Sequence, residues 1–313
     1  MSIKAEIKRR LKDTGVFKSG VAAAEEVDGD VMAAYGRWIS EGMHGEMAYL
    51  EKYRDIRSNP TQLLQGARSV ISCAFNYWWG KRAESPLQWA SYALGDDYHD
   101  VVRSRLQSVA DWISAETGAG CRVCVDTAPI PERYWAVRSG LGFIGLNRQL
   151  IIPGAGSCFF LGEIITTLAL EADEACTLTC GECRRCLRAC PGGALDDGGL
   201  DARRCLSYLT IEHRGELPAD TRLGRRVYGC DVCQDVCPHN RLSPLSEIEE
   251  FRPRVAILSL DTDAILSMKQ EDFSTIFRKS AIKRTKLTGL QRNAASIAEE
   301  ENFKAQEIKR GQE

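Results

Sequence analysis

The sequence predicts a mixed α and β protein with a cysteine-rich second part, and three observations carry that expectation. Amphipathic helical stretches alternate with short apolar runs before residue 175, which points to α+β or α/β layering and excludes an all-helical bundle. Of thirteen cysteines in 313 residues, nine crowd between 176 and 237. Past them, "RKSAIKRTKLTGLQR" (278–292) carries six basic residues and no acidic one.

The elements follow in chain order. "IKAEIKRRLKD" places Ile3, Ile7 and Leu11 at helical spacing, with Gly15 as a stop. "SVISCAFNY" (69–77) reads as a buried strand. "DYHDVVRSRLQSVADWISAETG" is a long amphipathic helix with Val102, Leu106, Val109 and Ile113 on one face and Gly118 at its end. "CRVCVDT" is a strand ending at Asp126, and "PERYWAVRSG" is a helix opened by Pro131. "RQLIIP" and "CFFLGEIITTLAL" are strands.

The formal net charge of −2 excludes a protein that is basic overall, so contact with nucleic acid must come from a local patch. No apolar run approaches the roughly 20 residues of a membrane helix. The charged N-terminus lacks an apolar signal core, so a cytoplasmic protein without a membrane partner is expected. In a reducing compartment, an odd number of clustered cysteines points to metal rather than disulfides.

Cys180, Cys183 and Cys186 follow C-x2-C-x2-C, a spacing that wraps one tight loop around an iron–sulfur cube. Cys190-Pro191 completes the bacterial ferredoxin run, in which the fourth cysteine serves the other cluster. "YGCDVCQDVCPHN" supplies Cys230, Cys233 and Cys237, and Cys205 fills the missing place. The crossover assigns Cys180, Cys183, Cys186 and Cys237 to one [4Fe–4S] cluster. It assigns Cys190, Cys205, Cys230 and Cys233 to the other. The two C-P endings and the triplet are poor spacing for structural zinc. Cys73, Cys121, Cys124, Cys158 and Cys176 read as small buried hydrophobes. Cys121 and Cys124 point to opposite faces of a strand and are not expected to act as a redox pair.

Asp126 stands at the carboxyl end of a strand, where open sheets place ligands, although position alone favours a turn cap. Gly140, Gly142 and Gly145 in "GLGFIG" are no dinucleotide loop, because a helix precedes them and a strand follows. None of the four histidines lies in D-x-H-x-x-G, a pattern that supplies a cobalt ligand in some corrinoid enzymes. His99 is expected to be a packed or capping residue and His213 a surface one. The basic run is either a solvated face or a phosphate-binding patch.

The chain resembles the epoxyqueuosine reductase family of cobalamin-dependent iron–sulfur enzymes, which complete queuosine in tRNA. The resemblance is carried by "HGEMAYLEKYRDIRSNP" (44–60), "GDDYHDVVRSRL" (95–106), "VDTAPIPER" (125–133), "GLGFIGLN" (140–147) and "LGEIITTL" (161–168). It extends through the cysteine array with "CLSYLTIEHRGELP" (205–218) to "SAIKRTKLTGLQRNAA" (280–295). It implies an α+β fold: a nitroreductase-like cobalamin-binding domain over 1–172, a ferredoxin-like 2[4Fe–4S] domain over 173–242, and a short helical, basic region over 243–313 that contacts tRNA.

The resemblance also implies cob(II)alamin held without a histidine ligand and Asp126 as the proton donor. Arg57, Ser157, Leu161 and Ser207 fall in motifs similar to those lining the corrinoid. It implies a monomer that takes the anticodon stem-loop of tRNA carrying epoxyqueuosine and draws on an unidentified electron donor. Leu146 departs from the family, which usually has Lys there. For Asp126 to carry a proton near neutral pH, burial against the corrinoid must raise its pKa. The competing readings are a reductive dehalogenase-like corrinoid enzyme acting on a small molecule, and a non-catalytic two-cluster electron carrier.

Overall fold

A computed structural model describes residues 2–80 and 84–310. Its centre is a four-stranded antiparallel sheet in the spatial order Lys18–Ala23, Ser69–Asn76, Phe159–Thr166, Cys121–Cys124. Strand Ser69–Asn76 is buried along its whole length because helices cover both faces of the sheet. Ile71, Cys73 and Phe75 point toward helices Ile3–Asp13 and Tyr98–Thr117, sharing a core with Ile7, Leu11, Leu106 and Ile113. Val70 points the other way and packs with Trp135 of helix Glu132–Arg138.

Asp97 caps the long helix at its own His99 amide, and Gly118 closes the helix in the left-handed conformation (φ 70°). This helix lies tight on the sheet. A methyl group at Gly162 would meet Leu106 Cδ1 at 2.7 Å and Val102 Cγ1 at 2.9 Å. That close approach sets the height of His99, in the first turn of the helix, above the strand ends.

Strand "RQLIIP" is reduced to Leu150–Ile151, which forms a hairpin with Phe143–Ile144. The hairpin packs Phe143 and Ile151 against Cys237, with Cys176 and Cys180 alongside. Cys73, Cys124 and Cys158 are buried, and Cys121 and Cys176 are partly so.

The boundary expected at 172/173 does not divide the core. Gln88–Trp89 pairs in parallel with Arg226–Tyr228. Leu87, Trp89, Ala93 and Leu94 are buried with Tyr228, Phe277, Leu290 and Ile297. The segment before the long helix therefore crosses into the C-terminal half, because only there does its apolar surface find cover. The C-terminal region is helical, ending in Lys286–Arg310, with positions 311–313 outside the described residues. Among the described residues, no helix is long and apolar enough to cross a membrane.

Candidate active site

The open ends of the central strands and the cysteine-rich segment enclose a cleft of about 1290 Å³, counted out to its open mouth. Tyr98, Phe160 and Leu161 lie on the sheet side, and Cys190, Cys205 and Ser207 lie opposite. Asp126, Ser157, Leu161 and Ser207 all line the cleft. Arg57 is not among the lining residues. It sits in the short helix Arg54–Ser58, with its guanidinium carbon 5.5 Å from the centre of the Tyr35 ring.

Strand Cys121–Cys124 ends opposite Glu163, and the chain turns sharply two residues on. Asp126 adopts a left-handed conformation (φ 44°), which Asp tolerates better than most residues. Its backbone N–H donates to Glu132 Oε1 at 2.5 Å. These constraints aim the carboxylate at the first turn of the long helix. Asp126 Oδ2 lies 2.9 Å from His99 Nε2, and His99 Nδ1 lies 2.7 Å from Asp97 Oδ1. Tyr98 stacks on the His99 ring (centroids 4.1 Å apart) and on Phe160 (4.3 Å).

The electrostatics of this group differ from the expectation of a neutral acid. Burial works to raise the pKa of Asp126, but hydrogen bonds from His99 and Tyr98 and the His99 charge outweigh it and hold the carboxyl below its ordinary value. Burial works to lower His99, yet hydrogen bonds to Asp126 and Asp97 raise it to about 9. Near neutral pH the proton therefore resides on His99, and Asp126 is a carboxylate half exposed to the cleft. Two more carboxyls stand behind them. Burial, then the Asp126 charge, pushes Glu132 up to about 8. Glu163 is 0% exposed, and neither carboxyl oxygen has a hydrogen-bond partner among the described residues. Burial followed by the Glu132 charge raises it well above the carboxylate range, so it is held neutral.

The eight candidate ligand cysteines influence one another within two sets of four. Burial and then the charge of neighbouring thiols raise Cys233, and those neighbours are Cys230, Cys205 and Cys190. Cys186 feels Cys180 and Cys237 in the same way, and Cys237 feels Cys180 and Cys183. Backbone N–H groups already point at sulfur: Leu146 N lies 3.4 Å from Cys180 Sγ and Ala194 N 3.3 Å from Cys190 Sγ. At Leu146 it is the amide that meets the cysteine, a contact that needs no lysine side chain. Among the described residues, no three Cys, His, Asp or Glu side chains converge on the point a single ion would occupy. Two sets of four thiols with amides donating to sulfur fit iron–sulfur cubes. The aromatic walls of the cleft, Tyr77, Tyr98 and Phe160, suit a large planar cofactor, and among the described residues no histidine lines it.

Comparison with known proteins agrees with this arrangement. The family model described as "Epoxyqueuosine reductase QueG, DUF1730" matches residues 57–127. One described as "4Fe-4S double cluster binding domain" matches 179–240. An epoxyqueuosine reductase of Gloeobacter violaceus is 42% identical over 305 residues, covering 93% of this chain and 94% of its own. The chain belongs to the epoxyqueuosine reductase family. Another family member, from Leadbetterella byssophila, is 38% identical over 94% of this chain and 98% of its own. Among solved structures, an epoxyqueuosine reductase crystallised with an epoxyqueuosine-modified tRNA-Tyr stem loop matches with TM-score 0.88 and 30% identity, over 94% of this chain and 80% of that one. A Bacillus subtilis family member, described with an aspartate-bearing catalytic loop swung out of its active site, matches with TM-score 0.86 and 29% identity, over the same shares of the two chains.

His99, Glu132 and Glu163 were not singled out from sequence as site residues. For Glu163 a signal existed, a carboxylate inside the otherwise apolar run "LGEIIT", since Glu is almost never fully buried. For His99 the acidic setting "DDYHD" at a helix start was a weak signal.

Proposed function

We propose that this chain reduces epoxyqueuosine to queuosine at the wobble position of tRNA in the cytoplasm, drawing electrons through two [4Fe–4S] clusters to cobalamin. One observation carries the reading. Asp126, with His99 bonded behind it, and the thiols of Cys190, Cys205, Cys230 and Cys233 face the same cleft, so a proton source and an electron source meet at one cavity. Membership of the family supports the substrate, as does the likeness to a relative solved with a modified stem loop.

Cob(I)alamin, when bound, supplies a strong nucleophile and electron donor. Tyr77, Phe160, Leu161, Ser157 and Ser207 would hold it between the two walls. Ser157 is preset, its N–H donating to Asn240 Oδ1 at 2.7 Å and its hydroxyl donating to Gln234 Oε1 at 3.0 Å. Cys180, Cys183, Cys186 and Cys237 would ligate one cluster, and Cys190, Cys205, Cys230 and Cys233 the other.

Converting an epoxide to an alkene consumes two electrons and two protons and releases water. The oxygen that leaves carbon first becomes an alkoxide and needs an acid beside it. His99 holds that proton at Nε2 and shares it with Asp126 Oδ2, which faces the cleft. Asp126 hands the proton to the oxygen, and the imidazole, fixed by Asp97 at its other nitrogen, replaces it. Asp126 thus works as the outer member of a proton-loaded pair rather than as an isolated neutral acid.

Anaerobic incubation with cobalamin, a reductant and epoxyqueuosine tRNA, followed by nucleoside mass spectrometry, tests the proposal. Queuosine is the expected product. Unchanged epoxyqueuosine, with both clusters loaded and cobalamin bound, would overturn it.

A further inference from the structure

The two thiol groups are not equivalent toward the cleft. Cys190, Cys205, Cys230 and Cys233 all line it, and none of Cys180, Cys183, Cys186 and Cys237 does. The group of Cys180, Cys183, Cys186 and Cys237 is therefore the one a donor protein can approach without occupying the cleft. That group has its own surface feature, a separate shallow depression lined by Arg185, Arg188, Arg241 and Cys237. Arg185 and Arg188 lie on the helix Arg185–Ala189 that carries Cys186, and Arg241 lies in the turn that follows Cys237-Pro238. All three arginines are exposed. Asp235, the acidic residue lining the depression, is itself already engaged. Arg184 is turned away to Asp197 at 2.9 Å. Beside Arg241, Leu242 is 83% exposed.

We propose that this arginine-lined depression is the docking site of a small acidic one-electron carrier protein, which delivers electrons to the cluster of Cys180, Cys183, Cys186 and Cys237. The inference rests on the function proposed above and names the kind of donor that function requires. Three guanidiniums around a thiolate edge supply long-range steering toward an acidic face. Arg, with an exposed apolar side chain beside it, is a common composition for the centre of a small, transient interface. Electron transfer needs close approach to a cluster edge, and Cys237 is the ligand that lines this depression. A stem loop is the other polyanion that such a patch could hold. It must present its modified base to the cleft, however, and the depression is built on the thiol group that the cleft does not touch.

The test compares cluster-reconstituted wild type with Arg185→Gln/Arg188→Gln/Arg241→Gln, using a purified acidic [2Fe–2S] ferredoxin as the probe. Ferredoxin binding at low ionic strength should weaken at least about tenfold in the variant, and the salt dependence of its association rate should flatten. Iron content, stem-loop affinity and turnover driven by dithionite, which needs no protein interface, should not change. Arg241→Glu, outside the cysteine triplet, repeats the binding test should the triple variant load iron poorly. No ferredoxin binding by wild type, or equal binding by wild type and variants, would overturn the proposal. Loss of stem-loop affinity with ferredoxin binding intact would overturn it too, and would assign the patch to RNA. If dithionite drives no queuosine formation in wild type, the proposed function fails while the binding comparison remains readable.

Discussion

His99 Nε2 lies 2.9 Å from Asp126 Oδ2, joining the start of the long helix to the end of a sheet strand across 27 residues of sequence. With Asp97 on its other nitrogen, the imidazole is held between two carboxylates, which is why it stays protonated to about 9. In the proposed reaction, one of the two protons is stored on His99 and presented through Asp126.

Asp126→Asn keeps the size of the side chain and its ability to accept a hydrogen bond, but it cannot pass on an acidic proton. Cluster loading, cobalamin binding and tRNA affinity should survive, since phosphate contacts elsewhere position the substrate. The single-turnover rate with pre-reduced clusters should fall by roughly two to four orders of magnitude. A rate within a factor of about three of wild type would remove Asp126 from the proton path.

The same pair sets a pH dependence of stability. His99 has a folded pKa above its unfolded one, so its contribution is complete below about 6.5 and is lost as pH rises through about 9. Asp126 is held low, so its contribution is present above the ordinary carboxylate value and fades as the pH drops below it. The stability gap between wild type and Asp126→Asn should therefore be widest between about pH 5 and 7 and narrow by pH 10. Thermal melts at pH 6 and pH 10 check this. A gap that is the same at both would mean that the pair carries no charge.

The two-cluster array was legible because cluster chemistry dictates cysteine spacing. The proposed proton path was only half legible. Asp126 stood out at a strand end, but His99 reads as an ordinary helix residue until the tight seat at Gly162 brings the helix down beside it. Arg57 was drawn from a motif, and motif membership does not fix direction: its side chain turns to Tyr35. The segment carrying Trp89 looked like part of the first domain, because pairing with Arg226–Tyr228 is a long-range contact that local pattern cannot reveal.

Glu163 should behave as a neutral group throughout the physiological range. Its folded pKa is raised, so the folded state binds a proton that the unfolded state has lost above about 4.5, and stability falls as pH climbs from there. Gln has the same shape and does not titrate. Denaturant unfolding should show Glu163→Gln gaining on wild type between pH 5 and pH 8. Parallel curves would mean that Glu163 finds a partner or water that this arrangement does not contain.

The two clusters should be separable. Wild type purified anaerobically should hold about eight iron and eight sulfide per chain. Cys205→Ala touches the group of Cys190, Cys230 and Cys233 only, so about four of each should remain. The survivor should be the cluster beside Arg185 and Arg241. Stoichiometric zinc in place of iron after reconstitution would end the iron–sulfur assignment.

The basic run of 278–292 divides into two kinds of residue, and the division can be measured. Arg292 reaches inward and donates to the carbonyl oxygens of His213 and Gly215, each at 2.8 Å, and of Leu209 at 2.7 Å. Arg284 forms a two-pronged pair with Glu212 at 2.8 and 2.7 Å and lies over the Tyr49 ring. Lys283 and Lys286 are exposed at the end of a 3-10 turn and the start of the last helix. Arg278 and Lys279 are exposed as well; if the run contacts tRNA, Lys283 and Lys286 are among the charges that release counterions. Lys283→Gln/Lys286→Gln should make the slope of log affinity against log salt shallower by roughly 1.4 to 1.8, without loss of stability. Arg292→Gln should do the opposite. Losing charge-assisted bonds to carbonyls should cost about 1.5 to 3 kcal/mol of stability, with the salt slope unmoved. An unchanged slope in the lysine variant would make 283–286 a solvated face with a structural arginine beyond it, and tRNA contact would have to be sought on another surface.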